Sequence, residues 1–163
     1  MFDLIDLKYS GNIFLGRIVM KFLVCVDGSE QSYKAIDKAA TIAAGLDDCE
    51  ITAIYVYHID SLVGVGEAYF TEEMIRRVHE QSKEEGENIL ADAQKIFEKR
   101  NLKVDTLLKE GHVATTIIEL AEEGKYDVVV LGSRGLGGFK KLLLGSVSNA
   151  IAQEVKASVF IVK

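Results

Sequence analysis

Short apolar runs that alternate with segments of helical periodicity are the feature that most constrains the fold of this chain. Several of these runs are apolar at nearly every position, which is typical of strands buried on both faces of a parallel sheet. The sequence therefore predicts an α/β fold: an open five-stranded, mainly parallel sheet with helices on both faces, which is a Rossmann-like arrangement. The predicted strands are residues 20–26, 51–57, 104–108, 128–131 and Ser158–Val162.

Four helices are predicted between these strands. Ser29 and Thr71 are good N-cap residues, and they predict helices that run to about residues 46 and 100. A third helix is expected over Val113–Glu123, and a fourth from about residue 146 to residue 155. We expect the long second helix to bury one apolar face along its whole length: Met74, Ile75, Val78, Ile89, Ala93, Ile96 and Phe97.

A glycine-rich segment, GSRGLGGFKKLLLGS over residues 132–146, joins the fourth strand to the fourth helix. The first-turn N–H groups of Ser146, Val147 and Ser148 carry the positive end of the helix dipole, and the glycines leave room for a ligand. The segment therefore predicts an anion site, with the phosphates of a nucleotide as the expected anion. Its spacing fits neither a P-loop nor a dinucleotide fingerprint, which needs its third glycine where Lys140 stands.

The spacing of four residues in this segment resembles that of a known family. The pattern G-x2-G-x9-G-S, formed by Gly132, Gly135, Gly145 and Ser146, is similar to that of the ATP-binding branch of the universal stress protein family. The resemblance covers about residues 20–163, and it implies an adenine nucleotide alpha hydrolase-like fold. It also implies a bound ATP, AMP or ADP with Mg²⁺ or Mn²⁺, although it does not indicate which residues would hold the metal.

The resemblance implies roles for individual residues as well. Cys25 and Val26 would line the base pocket, and Asp27 would lie at the nucleoside. Val56 would offer backbone groups to adenine. The residues that would wrap the ribose and the first phosphates are Leu131, Gly132, Ser133, Arg134 and Gly135. Those that would hold the outer phosphates are Gly145, Ser146, Val147 and Ser148.

Some side chains near this loop can also be interpreted from the residues alone. Asp27 follows the first strand, where it either faces the glycine loop across the sheet edge or serves as an ordinary turn residue in Asp-Gly-Ser. Arg134, inside the loop, is interpreted as a phosphate clamp. Lys140 and Lys141 are interpreted as solvated charges at a helix end.

Three functions are open to such a chain. The favoured hypothesis is a nucleotide-binding regulatory module of a stress response, whose bound ATP tunes contacts with a partner and is hydrolysed slowly at most. An ATP-using enzyme, either a hydrolase or an adenylating enzyme, is less well supported because residues 132–148 include no acidic side chain. The third hypothesis is a structural dimer that binds no nucleotide, and the intact glycine spacing argues against it.

Composition narrows the expected partners. The net charge is -6 and no basic run exceeds Lys140-Lys141, so nucleic acid is not an expected partner. No stretch approaches the roughly 20 apolar residues of a membrane helix. The cysteines and histidines show no metal-ligand spacing, which fits a reducing, cytoplasmic setting. These residues are Cys25, Cys49, His58, His79 and His112.

The two ends of the chain carry two further predictions. We interpret residues 1–19, which mix apolar and charged positions, as an N-terminal extension or as an upstream start that the cell does not use. Residues 20–163 are interpreted as the nucleotide-binding domain. Ser158–Val162 is apolar and almost terminal, and an uncovered strand edge is prone to aggregate unless it is paired. We therefore expect a two-fold homodimer through this strand, the alternative being a monomer whose extension pairs with the edge.

Overall fold

A computed structural model of the chain describes residues 19–58, 71–137 and 144–163. Five strands and four helices alternate along them. The strands are β1 (Met20–Cys25), β2 (Cys49–Tyr57), β3 (Asp105–Glu110), β4 (Val128–Gly132) and β5 (Ser158–Val162). The helices are α1 (Glu30–Ala43), α2 (Glu72–Glu98), α3 (Val113–Glu123) and α4 (Ser146–Glu154).

The described strands form one sheet in the order β3-β2-β1-β4-β5, and every pairing is parallel. The predicted fold class is therefore confirmed. The chain adds β2 and β3 on one side of β1, then crosses over to add β4 and β5 on the other side. Phe22 pairs with Val128 and Val24 pairs with Val130, so β1 and β4 end at the same edge. Such a reversal of strand order opens a crevice at the carboxyl ends of the two strands.

Two apolar layers lie on opposite faces of the sheet, because successive strand residues point to opposite sides. On one face, Phe22 and Val24 of β1 pack in a cluster with α1 and α2. On the other face, Leu23 and Cys25 of β1 pack in a cluster with α3 and α4. All four side chains are buried, as expected of a parallel strand that is covered by helices on both sides.

The first turns of α2 differ from the prediction. The first buried residue of this helix is Gly86, and the first three residues of the predicted core face are exposed by 47, 36 and 36%: Met74, Ile75 and Val78. Tyr57, the last residue of β2, already lies level with His79, since the two side chains are 3.5 Å apart. The turns before His79 therefore extend past the end of the strand. Apolar periodicity identifies one face of a helix, but not where the sheet beneath it ends.

The remaining element ends lie within three residues of the predicted ones, and α1 shows the largest difference. It ends at Ala43 because the N–H groups of Gly45 and Leu46 donate to Ile42 and Ala43 in tighter turns. Among the helices described, none combines the length and the apolar character that a bilayer crossing requires. The predicted extension lies, but for Val19, outside the described residues.

Candidate functional site

A cavity of about 570 Å³ opens at the carboxyl edge of the sheet, where β1 and β4 end side by side. Twelve of the thirteen predicted site residues line it: Cys25, Val26, Asp27, Val56, Leu131, Gly132, Arg134, Gly135, Gly145, Ser146, Val147 and Ser148. The thirteenth, Ser133, is fully buried and does not line the cavity. The structure thus brings residues from both halves of the chain to one place.

Eight further residues line the cavity: Ser32, Ile54, Tyr55, Val113, Ile117, Leu136, Gly137 and Leu144. Of these, Val113 and Ile117 belong to the first turns of α3. The sequence carried a signal for them. Parallel strands all end at the same edge of a sheet, so the helix that follows β3 must begin beside the cavity.

One end of the cavity is apolar. Burial, together with the charge of Asp27, raises the pKa of the Cys25 thiol to about 12, so this thiol stays protonated. It acts there as a small apolar wall and not as a nucleophile. The other buried apolar residues of this end are Val26, Ile54, Val56, Ile117 and Leu131. Such a surface suits a flat apolar group.

The other end of the cavity is formed by the N-terminus of α4. Gly145 is the N-cap, it makes no side-chain hydrogen bond, and no acidic residue lies in the first turn. The N–H groups of Ser146, Val147 and Ser148 have no intrahelical acceptor, and they carry the positive end of the helix dipole. They are therefore available to an anion.

Ser133 fastens the glycine loop. Its N–H donates to the Val162 carbonyl oxygen of β5 at 2.7 Å, and its own carbonyl oxygen accepts from the Gly145 N–H at 2.8 Å. The Ser148 hydroxyl lies 2.9 Å from the Ser133 carbonyl oxygen and 3.0 Å from the Gly145 carbonyl oxygen, so it holds the loop together. Ser146 lines the cavity and is exposed, so of these serines it is the one whose hydroxyl can serve a ligand.

Asp27 has both of the roles that the sequence left open. Its Oδ1 accepts a hydrogen bond from the Ser29 N–H at 3.0 Å, as a turn residue does. Its Oδ2 lies against Gly135, where an added Cβ would overlap it. Asp27 therefore closes the turn into α1 and also faces the glycine loop across the cavity.

Two glycines of the loop are required for different reasons. A Cβ at Gly132 would lie 2.8 Å from the backbone carbonyl carbon of Gln31 and 3.0 Å from the Ser32 nitrogen, which is closer than side chains tolerate. At Gly145 the nearest atom to such a Cβ would be the Arg134 Cα at 3.5 Å, an ordinary contact. Substitution of Gly145 therefore tests the cavity, whereas substitution of Gly132 also disturbs the packing of α1.

Two buried polar atoms of the loop have no hydrogen-bond partner within the part of the chain that the structure describes: Ser133 Oγ and Arg134 Nε. Buried polar groups are nearly always paired in folded proteins, so each of these atoms requires an explanation. Arg134 lines the cavity, where an acceptor on a bound molecule would pair with its Nε. Lys140 and Lys141 lie outside the described residues.

A second cleft, of about 520 Å³, shares Asp27 and Leu136 with this cavity and is lined mainly by residues of α2. Its acidic lining residues are Asp27, Glu84, Glu85 and Asp92. Their negative potential repels phosphate, which leaves α4 as the favourable place for the charged part of an anionic ligand. Over residues 19–58, 71–137 and 144–163, no group of three or more His, Cys, Asp or Glu side chains is arranged to hold a metal ion.

Comparison with known proteins agrees with this geometry. A model of the universal stress protein family matches residues 19–163. The chain belongs to the universal stress protein family. It is 34% identical over 147 residues to a universal stress protein of Methanocaldococcus jannaschii. The matched region covers 90% of this chain and 84% of that protein. The universal stress protein YxiE of Bacillus subtilis is 33% identical over 147 residues, covering 88% of this chain and 98% of YxiE.

Solved structures of universal stress proteins share the fold. The protein UspA from Lactobacillus plantarum gives a TM-score of 0.75 at 20% identity, over 88% of this chain and 97% of UspA. A universal stress protein in complex with cAMP gives a TM-score of 0.62 at 26% identity. The match covers 88% of this chain and 96% of that protein. The universal stress protein from Archaeoglobus fulgidus in complex with dAMP gives a TM-score of 0.62 at 19% identity. The match covers 90% of this chain and 99% of that protein.

Proposed function

We propose that this universal stress protein binds an adenine nucleotide, with ATP as the ligand, in the cavity at the carboxyl edge of the sheet. The observation that carries the proposal is the uncapped N-terminus of α4 at one end of a cavity whose other end is apolar. A nucleotide has the same division, with a flat base at one end and phosphates at the other. The universal stress protein in complex with cAMP, at 26% identity, supports adenine as the base.

In this proposal the base lies at the apolar end, beside Cys25 and Val26, with backbone groups of Val56 at its edge. Asp27 contacts the nucleoside. The ribose and first phosphates lie along Leu131 through Gly135, where they supply the acceptor that Arg134 Nε lacks. The outer phosphates take the first-turn N–H groups of α4, from Ser146 to Ser148.

A Mg²⁺ or Mn²⁺ ion accompanies the ATP in this proposal. Proteins commonly hold Mg²⁺ with one or two carboxylates together with phosphate oxygens. Asp27 is the sole acidic residue among the described residues that line the cavity, and it lies at the nucleoside end. The ion would therefore be held mainly by the phosphate oxygens, with the Ser146 hydroxyl as a candidate protein ligand.

The shortage of carboxylates favours a regulatory role over catalysis. Residues 132–148 include no acidic side chain that could position a water molecule or hold a catalytic metal. We expect ATP hydrolysis to be far slower than a typical enzymatic turnover of about 10 s⁻¹, so that the bound nucleotide tunes contacts with a protein partner. Steady-state phosphate release near that rate would instead favour an ATP-using enzyme.

Mass spectrometry and calorimetry test the binding. Protein purified without added nucleotide should carry an adenine nucleotide, and the emptied protein should bind ATP with a Kd on the order of micromolar. GTP is the control for the base, since its phosphates are the same. Gly145→Val should abolish binding while the fold survives, because the space around Gly145 accepts a Cβ. Unchanged ATP affinity in this variant would show that the loop is not the phosphate site.

We also propose a two-fold homodimer through β5. The edge strand β3 exposes the charged residues Asp105, Lys109 and Glu110, which protect an edge from pairing. The opposite edge strand, β5, instead exposes 42% of Phe160 and leaves its apolar neighbours half-buried. Light scattering should find a dimer, and a Phe160→Asp, Ile161→Lys double variant should be a monomer. A parent protein that stays monomeric at high micromolar concentration would exclude this dimer.

The predicted extension, residues 1–19, is proposed to be dispensable for nucleotide binding, because every proposed contact lies after Met20. A chain that begins at Met20 should bind ATP as tightly as the parent, and loss of binding in a folded protein of this length would contradict the assignment.

Cys25 and Cys49 are both free thiols. They suit the reducing cytoplasm, where we place the protein.

A further inference from the structure

The three histidines of the chain lie near the ends of β2 and β3, although they show no metal-ligand spacing in the sequence. His58 follows the last residue of β2, His112 is the N-cap of α3, and His79 lies on α2. The rings of His58 and His112 are arranged edge to face, with their centroids 5.9 Å apart. His79 is instead directed at Tyr57 and Glu110. The first two histidines therefore form a pair, and the third is separate from it.

The separation of the paired rings suits a shared metal ion. Imidazole nitrogens bind Zn²⁺ at about 2.0 to 2.1 Å, so two rings on one ion, at angles of roughly 109° to 140°, have centroids about 5 to 6 Å apart. Both histidines are exposed, so an ion can reach them from solvent. Coordination requires the two rings to turn so that one nitrogen of each points at the same position.

A hydrogen bond prepares His112 for this role. Its Nδ1 lies 3.0 Å from the Thr115 hydroxyl oxygen, which can accept the Nδ1 proton. That tautomer leaves the lone pair of Nε2 available to a metal. Histidines that bind metals usually donate their other ring N–H in this way, which fixes the orientation of the ring and raises its basicity.

The backbone holds the two histidines close together. Tyr57 and Glu110 pair in register at the ends of β2 and β3, and the Gly111 N–H donates to the Tyr57 carbonyl oxygen at 3.0 Å. Gly111 has a φ of +151°, and a Cβ there would collide with a side chain of α3. The turn that brings His112 beside His58 therefore requires glycine.

We propose that His58 and His112 form a two-histidine site for a divalent transition-metal ion of the Zn²⁺, Ni²⁺ and Cu²⁺ class, with water molecules completing the coordination. Imidazole nitrogen suits these ions, whereas Mg²⁺ and Ca²⁺ prefer oxygen ligands. The site is distinct from the proposed nucleotide site, but Val113, the residue after His112, lines the nucleotide cavity. A bound ion would link the end of β2 to the start of α3 and so brace one wall of that cavity.

Calorimetric titration of tag-free protein with ZnCl₂, with no nucleotide added, tests the proposal. The parent should bind one ion, and His58→Gln and His112→Gln should each weaken binding at least tenfold. His79→Gln is the matched control, because it removes the remaining histidine, and it should bind Zn²⁺ as the parent does. Unchanged affinity in either paired variant, an equal loss in the control, or no binding by the parent at about 1 mM Zn²⁺ would overturn the proposal.

A second measurement does not depend on the variants. The electron paramagnetic resonance spectrum of the parent with one equivalent of Cu²⁺ should show coupling to two imidazole nitrogens, and a spectrum with one or none would overturn the site. Gly145→Val, which should lose ATP, should bind Zn²⁺ normally. The metal site and the nucleotide site can therefore fail independently of each other.

Discussion

Two helices begin at the rim of the same cavity, and their N-termini are completed in opposite ways. At α1, Ser29 Oγ accepts the Ser32 N–H at 3.1 Å, and Asp27 Oδ1 accepts the Ser29 N–H at 3.0 Å. Glu30 adds a carboxylate to the first turn of α1. At α4 the cap is Gly145, with neither a side-chain hydrogen bond nor an acidic residue in the first turn.

Both helices have dipoles of the same kind, so the difference lies in what satisfies their first-turn donors. At α1 the protein supplies the acceptors and the negative charge, and a serine cap of this type stabilises a helix by about 1 kcal/mol relative to alanine. At α4 no side-chain cap supplies such an acceptor, so the donors are available to an external anion. The start of α1 is completed by the protein itself, whereas the start of α4 is where we propose that a ligand completes it.

The largest effect should come from giving α4 an acidic cap like the environment of α1. In Gly145→Asp the new carboxylate would occupy the first-turn N–H groups that we assign to the outer phosphates. We expect ATP affinity to fall by at least about 100-fold, or roughly 2.7 kcal/mol. The free energy of unfolding should stay within about 0.5 kcal/mol of the parent or rise, because aspartate is a good N-cap. Calorimetry and urea denaturation measure the two quantities.

Gly145→Asn is the matched control for this variant, because asparagine caps a helix without adding charge. It should lose less ATP affinity than the aspartate variant, and the gap between them measures repulsion of the phosphates. An aspartate variant that binds ATP as well as the parent would remove the distinction between the two helix ends.

Gly132→Ala tests the α1 side of the comparison. The added methyl would lie 2.8 Å from the backbone of Gln31, and only a shift of the loop or of α1 can relieve that contact. We expect the free energy of unfolding to fall by about 1–3 kcal/mol, as measured by urea denaturation. Gly145→Ser is the control, since it adds a Cβ where there is space, and it should change stability by less than about 0.5 kcal/mol. Equal stabilities of the two variants would contradict the packing role of Gly132.

The α4 side of the site could be predicted from the sequence because its signals are local. An apolar strand, spaced glycines and the start of a helix follow one another within the chain, and they place Gly145 and Ser146 without knowledge of the fold. The ends of β1 and β4 could also be placed at one edge of the sheet, because parallel strands run in the same direction. That argument placed Asp27 opposite the glycine loop, whereas Cys25, Val26 and Val56 came from the family resemblance; twelve of the thirteen predicted residues line one cavity.

The rest depends on contacts between distant parts of the chain. Whether Gly132 approaches the backbone of Gln31 is decided by how closely α1 packs over the end of β4, which no spacing records. The pairing of His58 with His112 likewise follows from the register of β2 with β3. The exposed start of α2 reflects the length of the strand beneath it. Periodicity predicts helices, strands and their apolar faces. The three features above could be recognised only once the sheet and its covering helices were placed together.

A pair of serine variants should separate the two helix ends with a smaller effect. Ser29→Ala removes the α1 cap and also the long 3.4 Å hydrogen bond from the Ser29 hydroxyl to the Arg134 carbonyl oxygen. It should lower the free energy of unfolding by about 1 kcal/mol, with ATP affinity changed less than about threefold. Ser146→Ala should do the reverse, lowering ATP affinity about fivefold through loss of one hydroxyl contact while leaving stability unchanged. The same calorimetric and denaturation measurements apply to both. If both variants were less stable and neither lost ATP affinity, Ser146 would have no role in binding the ligand.

The smallest effect is expected at Asp27. This residue closes the turn into α1 and also lines the cavity, so it contributes both to the start of α1 and to the candidate ligand site. Asp27→Ala should weaken adenosine, AMP and ATP by a similar factor of about three, since the proposed contact is with the nucleoside and not with the phosphates. Asp27→Asn can still accept the Ser29 N–H through its amide oxygen, so it should keep the stability of the parent and reveal the contribution of charge alone. Calorimetry with the three ligands measures both variants. Equal affinities of the alanine variant and the parent for all three would leave Asp27 as a turn residue, and the nucleoside end of the cavity would then be recognised by backbone and apolar contacts without it.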